Sequence, residues 1–189
     1  MARVDAERNR ARILEVATRA LTATDGSAPA SLEAIARDAG VGIGTLYRHF
    51  PTRDDLVRAV HASELAALLA RADELLARHE PDRALRIWMD DYAAFVAGKR
   101  GMAESLRALA QSGVLSPNET RASVTETIGR LLEAGVRAGT LRDDVLPEDV
   151  AASMVGTFLA LDRSAPTPVR DAQAARMLDL LFDGIRARG

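Results

Sequence analysis

At 189 residues, with 48% hydrophobic and 28% charged residues, the chain is long enough to bury a core and too apolar to be disordered. The absence of cysteine excludes disulfide scaffolds, thiolate zinc sites and cysteine nucleophiles. The net charge is -2, but it is unevenly distributed. Residues 1–53 contain 8 Arg and 6 acidic residues, whereas the rest of the chain contains 17 basic and 21 acidic residues. The overall charge therefore does not exclude a nucleic-acid partner.

Residue types that favour helices dominate the chain, and no stretch alternates convincingly between apolar and polar residues. Aromatic residues make up only 4%, which also argues against a β-rich protein. Gly and Pro stand between the apolar-periodic segments, where they end helices. The sequence therefore predicts an all-α fold of about nine helices.

The N-terminal segment predicts three helices. The first covers residues 6–22, which carry apolar side chains at helical spacing. The second starts with Ser31 as its N-cap and ends at Gly40. The third covers residues 43–50, and Pro51 ends it because the residue before a proline is biased away from the helical conformation.

A long fourth helix is predicted to follow. Thr52 and Asp55 form a pair similar to a capping box at its start. Its apolar stripe continues to Leu76. A fifth helix then starts at Pro81 and ends at Gly98, since proline fits the first helical position and glycine the end.

Four further helices complete the predicted fold. The sixth covers residues 102–111. Asn118 is expected to cap the seventh, and Gly139 ends it as the C′ residue. The eighth begins at Pro147, and the last covers residues 169–188.

Residues 31–50 have the pattern of a helix-turn-helix, in which two short helices are joined by a tight turn. Gly40 can take the positive φ that lets the chain swing between two helices packed at a steep angle. Val41 provides an apolar plug for the gap between them. The alternative interpretation is an ordinary helical hairpin whose outward residues are only solvated.

The outward residues of the third helix are small, hydroxylic, aromatic or cationic, which suits a DNA surface. Glycines allow close approach to base edges, and hydroxyl, imidazole and guanidinium groups donate to phosphate oxygens. Packing of Tyr47 on the fourth helix and an ordinary surface or core role for His49 are the alternatives. The candidate DNA-binding residues are Ser31, Gly42, Ile43, Gly44, Thr45, Tyr47, Arg48, His49 and Arg53.

Three segments resemble the DNA-binding domain of TetR-family transcriptional regulators. They are Ile13-Leu14-Glu15-Val16-Ala17, Ser31-Leu32-Glu33-Ala34-Ile35-Ala36 and Ala39-Gly40-Val41-Gly42-Ile43-Gly44-Thr45-Leu46-Tyr47-Arg48-His49-Phe50. The resemblance implies a DNA-binding domain over residues 8–68, with the helix-turn-helix at 31–50. It also implies a helical effector-binding and dimerisation domain over residues 69–189.

The resemblance further implies roles for individual residues. Ile43 and Gly44 lie where bases are approached. Many relatives carry Lys or Ser at the position of Ile43, so we expect an apolar contact, to a thymine methyl group, in place of a polar one. The positions that match phosphate contacts of the family are Ser31, Thr45, Tyr47, His49 and Arg53.

Large apolar residues after the DNA-binding segment are expected either to line an effector pocket or to fill the core. The pocket candidates are Trp88, Tyr92, Phe95, Met102, Leu106 and Phe158. The two final helices have broad apolar faces, which favour a four-helix interface between two chains over a core within one chain. The interface candidates are Met154, Phe158, Met177, Leu178, Leu181, Phe182 and Ile185.

The sequence predicts a homodimeric repressor that binds a palindromic double-stranded DNA operator until a small-molecule effector releases it. A helical enzyme is disfavoured because no motif identifies a nucleophile, an acid or a base. A DNA-bound scaffold that binds another protein is the remaining alternative. No cofactor or metal is expected, because His61 and His79 lack ligand partners at suitable spacing.

The sequence also favours a particular location for the protein. Its first residues are rich in Arg, Asp and Glu, which is not the composition of a signal peptide. No later apolar run reaches the roughly 20 residues that a membrane-spanning helix needs. We therefore expect a cytoplasmic protein with no membrane partner.

Overall fold

The computed structural model describes residues 2–22, 30–162 and 164–187. In these ranges the chain forms nine α-helices and one 3₁₀ turn, besides an isolated bridge between Leu141 and Arg186, which confirms the predicted all-α fold. The elements are α1 (Ala2–Thr22), α2 (Leu32–Asp38), α3 (Ile43–His49), α4 (Arg53–Leu76), α5 (Pro81–Gly98), the 3₁₀ turn (Lys99–Met102), α6 (Ala103–Gln111), α7 (Pro117–Arg137), α8 (Pro147–Ala160) and α9 (Thr167–Ile185).

The start of α4 has the reciprocal cap that the sequence predicted. The backbone N–H of Asp55 donates to Oγ1 of Thr52 at 3.0 Å, and the backbone N–H of Thr52 donates to Oδ2 of Asp55 at 3.2 Å. The Thr52 hydroxyl also donates to this carboxylate, at 2.8 Å, and is the main reason that the pKa of Asp55 lies below its ordinary value. The cap fixes the point at which the chain enters α4.

The end of α7 confirms Gly139 as the C′ residue. Its φ is +70°, and its N–H donates to the carbonyl oxygen of Val136 at 3.0 Å. The next N–H, of Thr140, reaches back to the carbonyl oxygen of Gly135 at 2.9 Å. Gly135 also has a packing role, because a methyl group placed there would overlap the side chain of Leu141.

Some helix starts differ from the prediction, and α1 already begins at Ala2 rather than at residue 6. Asn118 lies inside the first turn of α7, which begins at Pro117, so its predicted role as an N-cap is wrong. Likewise, α9 starts before residue 169 and includes Pro168 in its first turn. Proline fits there because the first helical N–H groups have no partner inside the helix. The helix α9 ends at Ile185, and Arg188, its predicted end, lies outside the described residues.

The chain divides into two compact units. The first contains Met1–Leu65 and Ala97–Ser116, and the second contains Ala66–Val96 and Pro117–Gly189. Residues 97–116, which were expected in the C-terminal domain, thus belong with the helix-turn-helix segment. The single helix α4 contributes residues to both units.

Each unit has its own buried core. In the first unit, Met102 and Leu109 pack with side chains of α1 to α4, so the second stretch of chain completes the core. In the second unit, the side chains that are wholly buried include Leu85, Trp88, Met89, Ile128, Leu131 and Met154. Burial of these apolar side chains is the main force that holds each unit together.

His61, on α4, is a buried ionisable residue of the first unit, with only 3% of its surface exposed. Burial, and to a lesser extent the positive charge of Lys99 in the 3₁₀ turn, lowers the pKa of His61 to about 4. Burial also lowers the pKa of Lys99, to about 8. The folded protein therefore keeps His61 neutral across the mildly acidic range.

We expect the protein to lose stability as the pH falls from 6.5 to about 4, because the unfolded chain then takes up a proton at His61 that the folded chain does not. His61→Gln should remove this part of the pH dependence. His79→Gln, a control between α4 and α5, should retain it. Chemical denaturation at several pH values checks the prediction, and it is wrong if wild type and His61→Gln lose stability in parallel.

Candidate nucleic-acid interface

The helices α2 and α3 are joined by a tight turn that sets their relative direction. Ser31 begins α2 as an N-cap, and its Oγ accepts a hydrogen bond from the N–H of Ala34 at 3.2 Å. Gly40 has a φ of +64°, in the left-handed region that favours glycine. The next N–H, of Val41, donates back to the carbonyl oxygen of Ala36 at 3.0 Å. These bonds and the left-handed glycine turn the chain from α2 into α3.

The helix α3 is only 7 residues long and has one buried face. Leu46 is fully buried and Phe50, at the C-cap, is 2% exposed, so both anchor α3 in the core of the first unit. On the outer face, Ile43 is 39% and Tyr47 is 43% exposed. The helix is therefore held by its inner face and displays large side chains on its outer face.

All the candidate DNA-binding residues reach the surface of the first unit. Six are exposed: Ser31, Gly42, Ile43, Gly44, Tyr47 and Arg48. Three are half-buried: Thr45, His49 and Arg53. A methyl group placed on Gly42 or Gly44 would meet no atom within 4 Å, so the start of α3 is open to close approach by a large molecule.

Arg53 has a contact inside the protein that sequence reasoning did not anticipate. Its Nη1 donates to the carbonyl oxygen of Ala30 at 2.9 Å. This hydrogen bond joins the first residue of α4 to the residue just before the N-cap of α2. Arg53 thus helps to hold two helix starts together, besides any contact with DNA.

Two arginines of α1 that were absent from the candidate set lie beside the helix-turn-helix. The guanidinium carbon of Arg10 is 5.3 Å from the centroid of the Phe50 ring. A methyl group on Gly40 would lie 2.6 Å from Nη2 of Arg12. In the sequence both belong to a run rich in charged residues, and only tertiary contacts distinguish them.

Four of the six pocket candidates form one aromatic cluster in the second unit. The rings of Trp88 and Tyr92 are stacked, with centroids 6.0 Å apart. Tyr92 also contacts the rings of Phe95 and Phe158, at 6.3 and 5.9 Å. The indole N–H of Trp88 donates to the carbonyl oxygen of Leu68 at 2.9 Å, and burial raises the pKa of Tyr92.

The other two pocket candidates lie in the first unit. Met102 belongs to the core formed by α1 to α4, and Leu106 packs against that core. The sequence analysis grouped Met102 and Leu106 with Trp88 because of their size and their position after the DNA-binding segment. Neither property reveals that the chain returns to the first unit at residue 97.

The interface candidates separate into buried and partly exposed residues. Met154 and Leu178 are 0% exposed and Ile185 is 4% exposed within one chain, so these three side chains lie in the core of that chain. The half-buried candidates are Phe158, Met177, Leu181 and Phe182. Apolar residues occupy more than one face of α8 and α9, and their spacing does not tell which face a single chain buries.

The outer faces of α8 and α9 carry apolar residues that were absent from the interface candidates. Leu159 is 81% exposed and Val155 is 38% exposed on α8, while Leu180 on α9 is 74% exposed. Ala152 and Gly156, one helical turn from Val155 and Leu159, are exposed as well. We call these five residues the α8–α9 apolar surface.

Comparison with protein families identifies both parts of the chain. A family described as bacterial regulatory proteins of the tetR family matches residues 13–60. A second, described as the C-terminal domain of SbtR-like transcriptional regulators, matches residues 80–187, more than half of the chain. The chain belongs to the TetR family of transcriptional regulators.

Curated relatives match the chain at moderate identity. HTH-type transcriptional regulators of Mycobacterium bovis and Mycobacterium tuberculosis are 30% identical over 159 residues, which cover 77% of this chain. The match spans 66% of the length of those mycobacterial proteins. HTH-type transcriptional regulators of Staphylococcus aureus are 46% identical over 54 residues, 29% of each chain.

Solved TetR structures match nearly the whole chain. A TetR transcriptional regulator from Streptomyces coelicolor is 38% identical with a TM-score of 0.80, covering 95% of this chain and 99% of that one. The TetR transcription regulatory protein of Mycobacterium vanbaalenii is 34% identical with a TM-score of 0.72, covering 99% and 100%. These matches confirm the TetR-like fold.

Membership of the TetR family makes the protein a DNA-binding transcription regulator and not an enzyme. The α2–α3 helix-turn-helix lies within the matched N-terminal region. In the part of the chain that the structure describes, no helix combines the length and hydropathy needed to cross a bilayer.

Gly40→Ala is expected to destabilise the protein by roughly 1–2 kcal/mol, since alanine is strained at positive φ and the added methyl group would displace the Arg12 guanidinium. Gly44→Ala is the matched control, because its methyl group would meet no atom within 4 Å and alanine favours a helix. Chemical denaturation of both variants checks this. Equal stabilities would contradict the role assigned to the turn.

Proposed function

We propose that the protein is a homodimeric repressor that a small-molecule effector releases from a palindromic operator. The observation that carries this proposal is the orientation of α3, whose buried Leu46 leaves Ile43 and Tyr47 exposed on the outer face. A short helix with one anchored face and one open face suits insertion into a major groove. A regulator of this kind acts on DNA in the cytoplasm.

The candidate residues suit two kinds of contact with DNA, to base edges and to phosphates. Ile43 and Gly44, at the open start of α3, suit contacts with base edges, and the Ile43 side chain suits a thymine methyl group. Donors around them suit phosphate oxygens, which set the position of the protein on the duplex. These donors are Ser31, Thr45, Tyr47, Arg48, His49 and Arg53.

A second copy of the chain accounts for the α8–α9 apolar surface. Leu159 and Leu180 are 81% and 74% exposed in one chain, and burying such side chains is favourable. A two-fold axis through this surface would bring four helices together and pair two copies of α3. Two such helices read half-sites about 34 to 36 Å apart, one turn of DNA.

The aromatic cluster of the second unit supports the proposal of an effector site. Tyr92 lies at its centre, in contact with Trp88, Phe95 and Phe158. Such a cluster suits a largely apolar ligand with a ring or acyl chain. A solved relative with 25% identity and a TM-score of 0.70 comes from work on the control of antibiotic production by bacterial hormones, which supports a signal molecule for this chain.

Release from DNA requires the effector to bind one conformation better than another. A ligand with equal affinity for both shifts nothing, whereas a tenfold preference supplies about 1.4 kcal/mol. The helix α4 is continuous from Arg53 to Leu76 and contributes residues to both units. We propose that a tilt of α4 changes the spacing of the two recognition helices.

A DNA-bound scaffold without a small ligand is the second candidate. The observation in its favour is the closed packing around Trp88, which is 0% exposed and bonded through its indole N–H to Leu68. An effector would have to displace part of this packing. The two candidates therefore differ in whether the aromatic cluster opens.

Arg48→Ala should lower operator affinity and reduce the slope of log K against log salt by about 0.9 for each phosphate that the variant no longer neutralises. Tyr47→Phe should weaken binding to all sequences, while Ile43→Ala should change the preference at one base pair of each half-site. The control is Arg137→Ala on α7. Fluorescence anisotropy on a duplex selected from a random pool measures these effects, and unchanged affinity in all three variants would exclude α3 as the reading helix.

Leu159→Glu should convert the dimer to a monomer and abolish tight operator binding, because a carboxylate on each chain would enter the paired surface. Val114→Glu is the matched control, since Val114 is 56% exposed and lies in the first unit. Sedimentation velocity gives the oligomeric state. A dimer that survives Leu159→Glu would rule out the α8–α9 apolar surface as the interface.

The chain has one tryptophan, so its emission reports directly on the aromatic cluster. We expect a ring-containing or acyl compound from extracts of the native cell to change Trp88 emission and to release the operator over the same concentration range. Parallel fluorescence and anisotropy titrations test this. Release from DNA with unaltered emission would place the effector elsewhere, and the lack of any releasing compound would favour the scaffold.

A further inference from the structure

The N-terminal part of α1 carries three exposed arginines. The helix begins at Ala2 rather than near residue 6, so Arg8, Arg10 and Arg12 all lie on regular helix. Within the described ranges none of the three forms an ion pair with a carboxylate, whereas Arg19, further along α1, pairs with Glu15 at 3.4 Å. In these parts of the protein, no carboxylate is therefore paired directly with any of the three guanidinium groups.

Two of these arginines lie at opposite ends of α3. Arg10 lies over the ring of Phe50, the C-cap of α3, with its guanidinium carbon 5.3 Å from the ring centroid. Arg12 lies against Gly40, in the turn that precedes α3, where a methyl group would be 2.6 Å from its Nη2. Both side chains are exposed. The recognition helix thus has a guanidinium group near each end.

The contact between Arg10 and Phe50 positions a cation without cancelling its charge. An aromatic face attracts a guanidinium group weakly and leaves its N–H groups available, whereas a carboxylate would occupy them. A helix in the major groove has a sugar–phosphate backbone on either side of it. Exposed cations close to such a helix are therefore within reach of the phosphates that border the groove.

We propose that Arg10 and Arg12 bind DNA phosphates on either side of the groove that α3 enters, so that α1 forms part of the DNA interface. The family match begins at residue 13, beyond both arginines. The proposal rests on the proposed function, since it requires α3 to lie in a major groove. It makes α1 a determinant of affinity and salt dependence, and leaves sequence preference to α3.

The test uses the full-length protein and a duplex that the wild type selects from a random-sequence pool. Dissociation constants are measured between about 50 and 200 mM salt for Arg10→Gln, Arg12→Gln and the double variant. Glutamine retains much of the side-chain volume and removes the charge. Arg19→Gln is the matched control, because it removes the same charge from the same helix where Arg19 is already paired.

Each substitution should reduce the slope of log K against log salt by about 0.9 per half-site, and the double variant by about twice as much. Arg19→Gln should match the wild type. Arg10→Lys and Arg12→Lys should restore most of the slope, because a lysine retains the charge. The base preferences found by selection should be the same in all variants.

Two outcomes would overturn the proposal. One is a double variant with the affinity and slope of the wild type. The other is a loss of affinity with an unchanged slope, which would mean that the arginines only support the fold, and thermal unfolding of the same variants would show the matching loss of stability. Either outcome leaves the proposed function standing, because in both of them the wild type still selects a sequence from the pool.

Discussion

Burial of Leu46 and Phe50 is the constraint on which the function of this protein depends. A helix of 7 residues has little stability of its own in water, so α3 exists because its inner face is held in a core. The same anchoring decides which residues face outward, because Leu46 and Phe50, one turn apart, share the buried face and the residues between them point elsewhere. The packing of α3 therefore determines which residues can contact DNA, and the chemistry of those residues then determines how they bind it.

Local sequence signals predicted much of the fold. Thr52 with Asp55, Gly40 and Gly139 each act through bonds to residues close in the chain, and the structure has the cap and the two left-handed turns where they were expected. The helix-turn-helix could be predicted for the same reason, because one glycine and a short apolar periodicity define it. Its outward face follows once the inward face is known.

Contacts between distant segments could not be read in the same way. Met154 and Leu178 were predicted to face a second chain but lie inside the monomer, because periodicity shows that a helix has apolar faces and not what covers each of them. Met102 was grouped with Trp88 on size alone, yet the two residues belong to different units. Arg10 and Arg12 could not be distinguished from other charged residues by sequence, because only their proximity to Phe50 and Gly40 places them beside α3.

The division of the chain between the two units has a consequence for how such regulators can be recombined. Because Met102 and Leu109 fill the core beneath the DNA-reading helices, a fragment that stops within α4 would leave a void where they pack. A chimera that joins the helix-turn-helix segment of this protein to the second unit of another regulator must therefore carry residues 97–116 with it. A single crossover within α4 would separate parts of one core, which favours the inheritance of the two units together.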